Sequence, residues 1–168
     1  MRSARLLVPV LAAILALAAA AVAASARIPA ADGTLSVQDG RATVHLRMRG
    51  GIIGRLGRGK LTVTDPLGDG SSVIVRGAES TREVNDRTSV YSGVDVRFRI
   101  MDETRFVVRI NGVKINFSAV GRGDGWLNGT GDPHSGVFFD GTYSLNGGPY
   151  RSIPNERESF DLSARAAG

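Results

Sequence analysis

Val94 to Leu127 reads VDVRFRIMDETRFVVRINGVKINFSAVGRGDGWL. A period of two puts successive side chains on opposite faces of a strand. Val96, Phe98 and Ile100 therefore share a face, as do Phe106, Val108 and Ile110. Arg97, Arg99, Arg105 and Arg109 fall on the other. Asn111-Gly112 is a two-residue hairpin signal, because both central positions of that turn need φ > 0. It predicts Ile110 opposite Val113, Val108 opposite Ile115 and Phe106 opposite Phe117. A three-residue loop, Asp102-Glu103-Thr104, would pair Ile100 with Phe106 and Phe98 with Val108. A slip of one residue would turn the whole apolar set to water, so the pattern selects this register. The expected unit is a three-stranded antiparallel meander with one dry and one charged face. On the charged face Arg97, Arg109 and Lys114 form a row, with Arg99 and Arg105 in the rows beside it.

The rest of the chain repeats the same kind of signal. Thr34–Gln38 and Arg41–Arg49 flank Asp39-Gly40 and predict a first hairpin, with Val44, Leu46 and Met48 inward. Glycines at 50, 51, 54, 57 and 59 predict bends or bulges. Strands are expected at Lys60–Thr64, Ser72–Arg76, Ser89–Ser92 and Val137–Ser144, with a last one carrying Phe160 and Leu162. Gly77–Thr88 is polar and aperiodic and is expected to be an exposed loop. Asn146-Gly147-Gly148-Pro149 is a turn. No segment has a helical period of useful length. Many short strands with frequent turn signals give an all-β fold, an antiparallel sandwich or flattened small barrel.

The N-terminus has a different character. Arg2 and Arg5 precede an apolar run from Leu6 to Ala23, and Ala24-Ser25-Ala26 has the small-x-small form of a leader-cleavage site. Residues 1–26 are thus expected to be a signal peptide cut after Ala26, with an uncleaved anchor as the alternative. Residues 27–33 would be a lead-in, 34–163 a single β domain and 164–168 a frayed tail. The folded part is expected in the envelope or outside the cell. The chain has no cysteine, so neither disulfides nor thiolate chemistry enter. Without Arg2 and Arg5 the balance is 19 basic against 16 acidic side chains, +3 rather than +5. That excess is no footprint for nucleic acid. The bias toward Ala, Arg and Gly is that of a GC-rich bacterial coding sequence.

Chemistry-bearing residues are sparse. Arg97, Arg99, Arg105, Arg109 and Lys114 are the binding candidates. Like charges held on neighbouring strands are unfavourable unless an anion or an acid lies between them. The matching partners are an anionic glycan, a wall polymer or a membrane surface; the alternative is a solvated sheet face covered by long arginine stems. The histidines are His45 and His134. His134 beside Ser135, with Asp124, Asp132 or Asp140, is the set from which a small wall-polymer hydrolase would draw, but no nucleophile elbow is present. Asp124, Asn128 and Asp132 offer oxygen ligands on a glycine-rich loop, the kind Ca²⁺ uses, at a spacing that matches no calcium loop. No cofactor or phosphate-loop motif occurs. The expected function is a non-catalytic binding or structural module. A small outer-membrane barrel is a third reading, weakened by low aromatic content and short strands.

Overall fold

The computed structural model describes residues 32–65, 72–131 and 139–163. The leader, the cleavage site, most of the lead-in, the Asp132–His134–Ser135 loop and the tail lie outside these residues. The described chain is all-β, one seven-stranded antiparallel sheet, with no helix among the described residues. The strands are β1 (Gly33–Thr64), β2 (Ser72–Arg76), β3 (Ser80–Asn85), β4 (Thr88–Gly129), β5 (Thr142–Leu145), β6 (Arg151–Ser152) and β7 (Glu158–Leu162).

Two long strands make most of the sheet, and each borders the other on both edges. Leu46 lies between Val108 and Gly125, Ile52 between Ile100 and Ala119, and Leu61 between Tyr91 and Ile110. Gly33 and Gly50, 17 residues apart, both lie opposite Gly121. Seventeen extended residues would span about 55 Å, yet strands flanking a common neighbour are only about 10 Å apart. β1 must therefore bend sharply, and β4 with it. The bends fall where the backbone takes positive φ: Asp39, Gly50 and Gly59 in β1, and Gly93, Asp95, Lys114 and Gly121 in β4. Shorter strands complete the edges. β2 pairs residues 97–101, β3 pairs residues 88–92, β7 pairs residues 123–127, and β5 pairs residues 35–38.

The meander expected at Val94–Leu127 is not formed. That stretch lies inside the single strand β4, and its segments pair with β1 instead of with one another. Ile110 faces Val44 and Leu61, not Val113; Phe98 faces Gly54 and Val75, not Val108. The alternation nevertheless sorts the faces correctly. Val96, Phe98, Ile100, Phe106, Val108, Ile110, Ile115 and Phe117 are all buried, and only Val113 is partly exposed. Asn111 stays in the strand, where its amide donates to Thr43 Oγ1 at 2.6 Å. Gly112 serves close approach rather than a turn, because a Cβ there would strike the Arg58 carbonyl and Gly59.

The first expected hairpin fails in the same way. Asp39-Gly40 is a bulge within β1, held by the Asp39 amide donating to Asn116 Oδ1 at 3.0 Å. Gly77–Thr88 is largely ordered as β3 and the turn into β4, contrary to the loop expected there. The Asn146-Gly147 turn is present, with φ of 51° and 72° and the Gly148 amide donating to the Leu145 carbonyl.

One apolar cluster fills the inward side. Leu35, Val37, Leu46, Met48, Leu56 and Leu61 from β1 meet Ile100, Phe106, Val108, Ile115 and Leu127 from β4, with Tyr143, Phe160 and Leu162 from the shorter strands. Tyr143 carries its hydroxyl to the edge of this core, donating to Glu158 Oε1 at 2.6 Å. Burial, and then the adjoining Glu158 carboxylate, push the Tyr143 phenol up to about 12.

Candidate functional site

The pairing of β2, β4 and β1 assembles a cationic row that alternation within Val94–Leu127 does not reveal. Arg97 lies between Arg76 on β2 and Arg55 on β1. Cross-strand neighbours stand about 5 Å apart at Cβ, so three guanidinium stems run side by side. Asp95 answers them. Its positive φ of 58° marks a bend that brings the carboxylate to Arg55 Nε and to Arg97 Nη2, the latter at 3.2 Å. Partial desolvation opposes ionisation of Asp95. The two guanidinium hydrogen bonds and charges outweigh it and hold the carboxyl below its ordinary value. Arg55 and Arg97 remain more than half exposed at their side chains. One carboxylate thus serves two arginines, while Arg76 adds a third charge to the row.

The adjacent rows carry apolar side chains. Arg99 lies between Ile74 and Ile53, and Met101 lies between Ser72 and Gly51, with Val120 beyond Gly51. Ile53 is 61% exposed, Val120 52%, Ile74 46% and Met101 45%, although large apolar side chains normally seek the core. Gly51 has no side chain, which leaves the floor between Met101 and Val120 low. Two open cavities result, of about 1110 Å³ and 490 Å³, and Ile53 and Arg99 line both. Arg49, Arg55, Arg76, Arg97, Arg99 and Arg122 line the pair of cavities, against the carboxylates Asp32 and Asp102. Asp32 is engaged by Arg122 Nε at 3.1 Å, and Asp102 is buried, accepting from the Thr104 amide and hydroxyl.

The sequence candidates divide. Arg97 and Arg99 belong to this face. Arg109 lies in another row, between His45 and Thr62. Lys114 sits at a bend with φ of 53°, and Arg105 is exposed just beyond Asp102. The expected row Arg97–Arg109–Lys114 is therefore not assembled, because it depended on hairpins that do not form. Arg55 and Arg76 were missed. Each is an unremarkable arginine in its own segment, and only strand pairing places it beside Arg97.

Around Arg109 lies a second polar group. The His45 ring stacks on Trp126 at 5.6 Å with planes 10° apart, and the Arg157 guanidinium lies 4.2 Å from the Trp126 ring centre. Burial first, and then Arg109 and Arg157, lower the His45 titration below its ordinary 6.5; Asp124 opposes them. A neutral, stacked imidazole is what these neighbours favour. Asp124, one of the calcium candidates, is held by Arg47 through contacts of 2.9 to 3.1 Å. Asn128 donates to the Gly129 carbonyl at 3.0 Å. Asp132, His134 and Ser135 lie outside the described residues.

No protein family, curated protein or solved structure matches the chain.

Proposed function

We propose that the chain is an exported, non-catalytic β module of the cell envelope or exterior that binds an anionic polymer or surface. The row Arg76–Arg97–Arg55, with the carboxylate of Asp95 shared between two of its arginines, carries this reading. Holding three guanidinium groups side by side is unfavourable on its own, and an anion laid across them relieves the repulsion. The leader-like N-terminus supports export, with cleavage after Ala26. The two-sided pairing of β1 and β4 around one core supports a flattened barrel or sandwich as the frame. The reading as an outer-membrane barrel gains no support, since apolar residues fill the inward side while Arg47, Arg97 and Arg109 point outward.

Titration with a soluble polyanion such as alginate across a salt series tests the proposal. Binding is expected to weaken as salt rises, because exposed charges are screened within about 10 Å at 0.1 M ionic strength. The Arg97→Ala/Arg99→Ala variant should bind more weakly and with a flatter salt dependence. Equal binding by the variant at every salt concentration would remove this face from the function.

A further inference from the structure

We propose that the ligand of this face is a bilayer surface rich in anionic phospholipid, with Ile53, Ile74, Met101 and Val120 entering the boundary between headgroups and acyl chains. The proposal rests on the anion-binding reading above and narrows it.

The arrangement of side chains separates a lipid surface from an acidic glycan. A glycan rewards arginines but offers little to a large exposed aliphatic group. Here Ile74, Arg99 and Ile53 are successive cross-strand neighbours, and the next row holds Met101 and Val120 on either side of Gly51. Apolar and cationic side chains are thus interleaved on one outward face. An anionic bilayer presents both complements at two depths: phosphates outside and acyl chains beneath. Arginine suits the boundary because its stem lies along apolar surface while the guanidinium stays at the phosphates. A second copy of the chain is a poor occupant. Self-association of this face would set Arg55, Arg76, Arg97 and Arg99 against the same arginines of the other copy.

The geometry suits a surface-lying domain rather than a spanning one. The exposed aliphatic residues lie on three neighbouring strand segments, 51–53, 72–76 and 99–101, with Val120 on the next. Binding needs both components, as a modest apolar contribution joined to electrostatic attraction generally does.

The purified chain is mixed with vesicles of phosphatidylglycerol and phosphatidylcholine, with vesicles of phosphatidylcholine alone, and with alginate. The parent chain should co-sediment with the phosphatidylglycerol vesicles and far less with pure phosphatidylcholine. The Ile53→Ser/Ile74→Ser variant should lose about tenfold in partition to the acidic vesicles. Its alginate binding should stay within about twofold of the parent. Both positions are exposed, and matching unfolding curves would show that the variant keeps the fold. If the variant partitions like the parent, or the parent prefers alginate to acidic vesicles at matched charge, the lipid assignment is wrong while anion binding stands. If the parent binds neither probe, the anion-binding reading fails with it.

Discussion

Replacing Gly121 by alanine is expected to destabilise the fold by about 3 kcal/mol. Gly121 has φ of 154°, a conformation that L side chains rarely adopt, and holding a non-glycine residue there costs on the order of 1–3 kcal/mol. An added Cβ would also be driven into the Arg49 carbonyl and would reach Met48 Cε at 3.0 Å. Displacing that carbonyl disturbs the pairing of β1 with β4 beside it, at about 1 kcal/mol more. Two other glycines separate these effects. Gly147 has φ of 72° with nothing within 4 Å of an added Cβ, so Gly147→Ala should show the backbone cost alone, about 1 kcal/mol. Gly51 has an ordinary φ, and its nearest neighbour would be Met101 Cε at 3.7 Å, so Gly51→Ala should stay within about 0.5 kcal/mol of the parent. Urea unfolding followed by tryptophan emission reads all three. With a slope of about 1.5 kcal/mol per molar, the Gly121→Ala midpoint should fall by about 2 M. If Gly121→Ala unfolds at the same midpoint as Gly51→Ala, β4 does not approach β1 at Arg49, and the two-sided pairing is wrong.

Three further outcomes follow from individual side chains. Trp126 is the sole tryptophan, and a protonated imidazole stacked on it should quench its emission. Emission should therefore drop with a midpoint below 6.5, and the drop should vanish in His45→Gln; a midpoint at or above 6.5 would contradict the stacked geometry. Because the unfolded chain takes up this proton at the higher pH, folding stability should decline as pH falls from about 6.5 toward the folded titration point. Asp95→Asn keeps a residue that tolerates positive φ but removes the carboxylate between Arg55 and Arg97, so polyanion affinity should rise several-fold; a fall would show that Asp95 orients rather than neutralises the arginines. In the parent, stability from this pair is present at neutral pH and is lost as pH falls through the lowered Asp95 titration. Tyr143→Phe should cost about 1 kcal/mol, because Glu158 keeps Arg151 at 3.0 Å. Stability of the parent should also fall between pH 10 and about 12, where the unfolded chain ionises its tyrosine and the folded chain does not. A spectrophotometric titration in which all three tyrosines ionise together near 10 would rule this out.

Alternation was enough to read the faces but not the partners. Val44, Leu46, Met48, Phe98, Val108 and Ile115 are buried as their spacing requires. Alternation is local, whereas pairing depends on residues far along the chain. The break at Asn111-Gly112 shows the difficulty. Apolar residues fall on even numbers up to Ile110 and on odd numbers from Ile115, a change that a two-residue turn and a one-residue bulge produce alike. Lys114, with φ of 53°, makes it a bulge. The same ambiguity at Asp39-Gly40, where the buried set passes from Val37 to Ala42, again hid a continuous strand. The candidate site suffered accordingly. Arg97 and Arg99 were legible as outward cations, while their neighbours Arg55, Arg76, Ile53 and Ile74 come from segments 42 to 46 or 21 to 25 residues away along the chain and leave no local signature.

The mutual bordering of β1 and β4 also shapes how the chain must reach this state. Among the described residues every pairing partner of β1 lies at Thr88 or later, so the first long strand has no local strand partner with which to begin. Even its nearest pair, Thr64 with Thr88, closes a long loop before any reward is gained. Folding dominated by such distant pairings falls in the millisecond-to-second range. Until β4 is complete, β1 offers two unpaired edges, the condition in which strands join other chains. A chain emerging N-terminus first therefore cannot shelter its first half early, and must be kept apart from its own kind until the second half is in place.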